Sequence, residues 1–149
     1  MAVKTFDNTT PKQAVKDRDV FIYGRVSSES QEDSLPAQIK AVKEAGYVQG
    51  EMYGFPNCDP MIKAARAVGL ELHSSHFEWE SVVNPADKDF TDFRKILEKA
   101  GEVGLTHLVI PYLHGKDRET LDDYRRVAEN CNKAASLAKK QGIQLAYHN

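Results

Sequence analysis

Four glycines in matching contexts set the strongest limit on what this chain can become. Ala45-Gly46-Tyr47, Val68-Gly69-Leu70, Val103-Gly104-Leu105 and Gln141-Gly142-Ile143 each place a glycine between a helix-periodic stretch and the first apolar residue of a strand-like run. A glycine just past a helix can adopt the left-handed conformation that closes its last turn. Gly46 to Gly69 is 23 positions, Gly69 to Gly104 is 35 and Gly104 to Gly142 is 38, each long enough for one βα unit. Repeated βα units predict a parallel sheet, because parallel neighbours need a crossover that a helix supplies.

The clearest unit runs from Gly104 to Asn149. Leu105, Leu108, Val109 and Ile110 form a short apolar run closed by Pro111, as in a strand covered on both faces. From Leu121 the apolar positions recur at Tyr124, Val127, Cys131, Ala135 and Ala138, the spacing of one helical face. Glu119, Asp122 and Asp123 lie at its start and Lys139 and Lys140 at its end, complementing the helix dipole. Ile143 to Tyr147 resumes an extended pattern.

Upstream, residues 1–18 are polar and weakly patterned and are expected to form a tail, with one domain over 19–149. Val20 to Val26 suggests a first strand. Ser34 and Pro36 mark a helix start, with Leu35, Ile39 and Val42 inward. Tyr47 to Tyr53 is a second strand, weakened by Gly50, and Leu70 to His76 a third. Between them Asp59 and Pro60 read as N-cap and first helical residue, ahead of Ile62, Ala65 and Val68. A loop through Asn84 and Pro85 precedes a helical stripe at Phe90, Phe93, Ile96 and Ala100. The expected order is βαβαβαβαβ, with five strands and four helices.

Composition narrows the function classes. The chain has 149 residues, 41% of them hydrophobic, enough for one core. A net charge of -2 gives no electrostatic reason to expect nucleic acid or an anionic membrane as partner. Cys58 and Cys131 do not make a disulfide framework and read as reduced thiols. No apolar run approaches the roughly 20 residues a membrane span needs, and the start lacks a signal-peptide core, so a cytoplasmic protein is expected.

Two architectures accept this order. One is an open doubly wound sheet, which five strands complete. The other is a (β/α)8 barrel of about 250 residues, of which this chain would be the first half. A resemblance favours the barrel. LTHLVIPYL and RETLDDYRRVAENCNKAASLAKKQGIQLAYHN resemble the sugar phosphate isomerase/epimerase family, the xylose-isomerase-like TIM barrels, through Asp123-Tyr124, Asn132, the Ala-Lys-Lys-Gln-Gly-Ile turn and Tyr147-His148-Asn149. AGYVQGEMYGF is similar to that family's second strand, with Glu51 near its end, and GLELHSSHFEWE to its third, with His76 near its end. Family members continue through sixth, seventh and eighth strands, which bring most metal ligands and the second catalytic acid.

The resemblance implies a metal-assisted isomerase or epimerase acting on a sugar or sugar phosphate, with Mn, Mg or Zn polarising the carbonyl. In a barrel the carboxyl ends of the strands carry the site. Here they hold Arg25, Glu51, His76, Tyr112, His114 and His148. Glu51 and His148 are the candidates for catalysis, His148 also for the metal, and His76, Arg25, Tyr112 and His114 for substrate binding. Each has a plainer explanation: Glu51 as a solvated or lysine-paired carboxylate, Arg25 and the histidines as ordinary strand-end residues. His73 and His107 fall early in their strands and read as structural. Trp79 and Tyr112 would shape a sugar-binding wall or simply pack.

Two other readings come from different classes. YGRVSSESQEDSLPAQIKAVKEAGY is similar to the opening of serine recombinase catalytic domains, which would make Ser27 a nucleophile on DNA and Arg25 its charge partner. That family needs a further arginine cluster, where LHGKDRET offers Arg118 alone, and a basic surface that the net charge does not supply. The third reading is a non-catalytic half-barrel that self-associates through its open sheet edges.

Overall fold

The computed structural model describes residues 35–148. The expected tail over 1–18, the strand Val20–Val26, Arg25, Ser27 and the helix-start residue Ser34 lie outside the described residues. The elements are α1 (Leu35–Glu44), β1 (Gln49–Phe55), α2 (Asp59–Val68), β2 (Glu71–Phe77), α3 (Glu80–Val83), α4 (Thr91–Val103), β3 (His107–Ile110), α5 (Leu121–Lys139) and β4 (Gln144–Tyr147).

The four described strands are all parallel and lie in the order β1-β2-β3-β4. No neighbour is skipped and the order never reverses, as a doubly wound sheet requires at its switch point. Crossovers of one hand then stack the helices on one face of the sheet. Met52, Phe55, Phe77, Leu108 and Ile110 point to that face and are buried against Ile62, Phe93, Leu97, Val127, Ala134 and Ala138. Phe77 of β2 and Phe93 of α4 meet with ring centroids 5.6 Å apart at the centre of this layer. A smaller cluster of Leu35, Ile39, Ala64, Ala65 and Leu70 seats α1 on α2.

The glycine logic holds in the backbone. Gly46, Gly69, Gly104 and Gly142 all have positive φ, and the Gly104 amide donates to the carbonyls of Ala100 and Gly101 as α4 ends.

Three local expectations are corrected. The cap of α2 is Cys58, without a side-chain capping bond, and Asp59 is instead the first helical residue, its carboxylate 2.7 Å from the Lys99 ammonium on α4. The loop through Asn84 contains the short helix α3, which buries Val82 and Val83. On α5, Leu121 and Tyr124 are exposed, and the buried line is Val127, Ala134 and Ala138 rather than one through Ala135. A 19-residue helix is about 28 Å long and the four-residue β4 about 13 Å, so the helix outruns the sheet and its first turn packs on no described strand. The strands also sit slightly later than expected, β1 beginning at Gln49 and β2 at Glu71.

Candidate active site

Side chains alternate across a strand, so burying one set of positions against the helices turns the other set to the opposite face. On β1 that set includes Glu51 and Tyr53; on β2, Ser74 and His76; on β3, Val109; and beyond β4, His148. These residues are polar or aromatic and mostly part-exposed, unlike the apolar set behind them.

A register shift between Gly50 and Glu51 sets Glu51 opposite Ser74 rather than His73. The Ser74 hydroxyl donates to Glu51 Oε2 at 2.6 Å, and His76 Nε2 lies 3.3 Å from Glu51 Oε1. Both carboxylate oxygens are therefore held while the side chain keeps 22% of its exposure, against 16% for His76. A ring nitrogen beside a carboxylate acts as the donor, which leaves the His76 proton on Nε2 and a lone pair on Nδ1. That Nδ1 is buried and has no hydrogen-bond partner. The Tyr53 ring stands edge-on to His76 at 5.7 Å, and the His148 ring lies 6.2 Å beyond on the other side. His148 follows the last residue of β4 and is tied to β3 by its amide, which donates to the Ile110 carbonyl at 2.9 Å.

The structure thus brings Glu51, His76 and His148 together. Tyr112 and His114 stand in a second group with Trp79, with centroids 4.7 Å apart for Trp79 and Tyr112, 5.7 Å for Trp79 and His114 and 5.3 Å for Tyr112 and His114. His114 Nε2 is 3.2 Å from Glu80 Oε1. His73 pairs with Glu71 at 2.9 Å and His107 with the Thr106 hydroxyl at 2.9 Å. Sequence reasoning missed Ser74, which read only as part of a serine pair.

A metal-assisted reaction needs several donors on one point. Among the described residues no three His, Cys, Asp or Glu side chains come close enough to hold a metal ion. Glu51 and His76 are near each other, but with His148 they do not form a ligand set.

Sequentially ordered parallel strands, helices on one face only and polar residues on the other define the class of fold: a xylose-isomerase-like TIM barrel, of which the chain corresponds to about half. Solved structures fill in the likeness. A sugar phosphate isomerase/epimerase from Parabacteroides distasonis is 25% identical, with a TM-score of 0.61, over 81% of this chain and 47% of its own. An L-ribulose 3-epimerase shares the fold at 21% identity and a TM-score of 0.54, over 80% of this chain and 44% of its own. So does a xylose isomerase-like TIM barrel protein from Mycobacterium smegmatis, solved in complex with magnesium, at 13% identity and a TM-score of 0.52, over 78% and 46%. The chain spans less than half the length of these proteins. No protein-family model and no curated protein matches it. The kind of function the fold supports is that of sugar isomerases and epimerases. No helix among the described residues is long and apolar enough to cross a membrane.

Proposed function

We propose that this domain supplies part of the active site of an isomerase or epimerase acting on a sugar or sugar phosphate, with Glu51 as the proton-transferring carboxylate. The observation that carries this reading is the double hold on Glu51, whose two oxygens face Ser74 and His76 on the open face of the sheet. A carboxylate fixed in aim but open to solvent suits removal of a proton from the carbon next to a carbonyl. Electrons then move toward the carbonyl oxygen to give an enediol, and return of the proton to the neighbouring carbon completes an isomerisation. Epimerisation returns it to the same carbon from the opposite face and needs a second acid, outside the cluster described. His148 stands at the rim as a substrate contact and proton carrier, with His76 beside it, and Tyr112 and His114 offer an aromatic and imidazole surface to the sugar ring.

Mn, Mg or Zn is the ion that such chemistry calls on. Glu51, His76 and His148 do not converge on one point, so the scheme runs on side chains alone. The free thiols of Cys58 and Cys131 support a reducing, cytoplasmic setting. The edge position of β4 among the described strands supports self-association. The test is solvent deuterium entering aldose and ketose substrates, with and without added Mn, Mg or Zn. Incorporation that the Glu51→Gln substitution abolishes is the expected result; incorporation indifferent to that change overturns the assignment of Glu51.

A further inference from the structure

Asp117 lies in the 3-10 turn Gly115–Asp117 that follows β3, and it is 2% exposed. Its Oδ1 accepts from Asn84 Nδ2 at 3.0 Å and from Arg126 Nη2 at 3.1 Å. Arg126, on α5, turns its other nitrogen the opposite way: Nη1 donates to Asn84 Oδ1 at 2.6 Å and to the Val83 carbonyl at 3.1 Å. Asn84 Nδ2 also donates to Glu80 Oε2 at 2.8 Å, and the other oxygen of that carboxylate faces His114. A continuous polar chain therefore runs Arg126, Asp117, Asn84, Glu80, His114. It joins the segment after β2, which carries Trp79, to the segment after β3, which carries Tyr112 and His114.

Burying a carboxylate is costly, and stability alone does not require it, since apolar packing of the same volume often serves as well. What the planar guanidinium fork adds is fixed geometry between three partners from two loops. We infer that Arg126 is a positioning residue: through Asn84 and Asp117 it locks the two loops together and so fixes the face formed by Trp79, Tyr112 and His114. This rests on the proposed function only for what that face receives, a sugar; the locking itself is a property of the free protein.

Trp79 is the single tryptophan of the chain, so its fluorescence and its indole N–H resonance report this face alone. In Arg126→Met, measured well below the melting temperature, acrylamide quenching of Trp79 rises about twofold and the indole resonance shifts, because the fork contacts are gone. Arg126→Lys keeps the charge but not the fork and fails to restore either signal. Arg125→Met, which removes only an exposed pair with Asp122 on the same helix, leaves both unchanged. If Arg126→Met does not fold, Asn84→Ala decides by the same two readings, since it cuts the link to Glu80 and leaves Arg126 paired with Asp117. Variants that melt earlier while Trp79 keeps its native quenching and resonance overturn the inference. Failure of the sugar chemistry alone would leave these signals untouched.

Discussion

Ser74 and Glu51 face each other from neighbouring strands, hydroxyl to carboxylate, at 2.6 Å. The contact exists because the β1–β2 register slips between Gly50 and Glu51, so that Ser74 rather than His73 stands opposite the carboxylate. One irregular step in a parallel ladder thus decides which side chain aims the candidate base.

If Glu51 moves the proton, Glu51→Gln lowers deuterium incorporation into the sugar by about 10²–10⁴-fold, the usual contribution of a positioned general base. Ser74→Ala leaves the carboxylate but loosens its aim, and a fall of about tenfold is expected, mostly in kcat. Equal losses in the two variants would mean that Ser74 acts through folding, which thermal melts of both would show.

Phe93 of α4 is fully buried and packs on Phe77 of β2, joining the helical layer to the sheet. Phe93→Ala removes most of that side chain from the best-packed region, and a loss of about 3–5 kcal/mol is expected from urea unfolding. Leu121→Ala, at an exposed position of α5, should cost less than about 0.5 kcal/mol.

The repeating βα order was legible because it rests on local chemistry. Gly46, Gly69, Gly104 and Gly142 mark helix ends wherever they stand, and the apolar stripe of Phe93, Ile96 and Ala100 fixes one face of α4 without knowledge of its partner. The parallel sheet and its match to half a barrel followed from that order together with the family likeness. What escaped depends on contacts distant in sequence. Asp59 suits a cap, yet its carboxylate meets Lys99, 40 positions later. Tyr124 fits the apolar period of α5 but lies past the end of the sheet. Glu51 and His76 were legible as candidates from their places near strand ends; the role of Ser74 depends on a slip in register that leaves no mark in the sequence. The link from Asp117 to Asn84 spans 33 positions, and LHGKDRET by itself reads as a polar loop.

The two thiols should be inert in the folded protein. Burial, aided by the neighbouring Asp59 and opposed by Lys99, leaves the Cys58 thiol pushed up to about 11. Burial also raises Cys131. At pH 8 a thiol of that acidity is thiolate in roughly one molecule in a thousand, and the thiolate is the reactive form. Iodoacetamide should therefore label both residues slowly in buffer and rapidly in denaturant, as read by mass spectrometry. Fast native labelling of Cys58 would mean that the contact of α2 with β1 opens readily.

Asp117 should give the fold an acid limit. Burial alone would push its carboxyl up, but hydrogen bonds from Asn84 and Arg126, with the charges of Lys116 and Arg126, bring it below its usual range. A carboxyl more acidic folded than unfolded stabilises the fold fully above the unfolded value, about 3.9, and loses that contribution as pH falls through the folded value. Asp87 and Asp123 are shifted the same way, so wild-type melting alone cannot isolate one residue. Comparison with Asp117→Asn can. Near neutral pH the variant should be less stable by about 1–3 kcal/mol, toward the lower end because Arg126 keeps 40% of its exposure and can rehydrate. Below about pH 4 the wild type loses the Asp117 contribution while the variant has none to lose, so their melting curves converge. Thermal melts from neutral to strongly acid pH read the gap directly. A constant gap across that range would show that Asp117 contributes through packing and not through its charge.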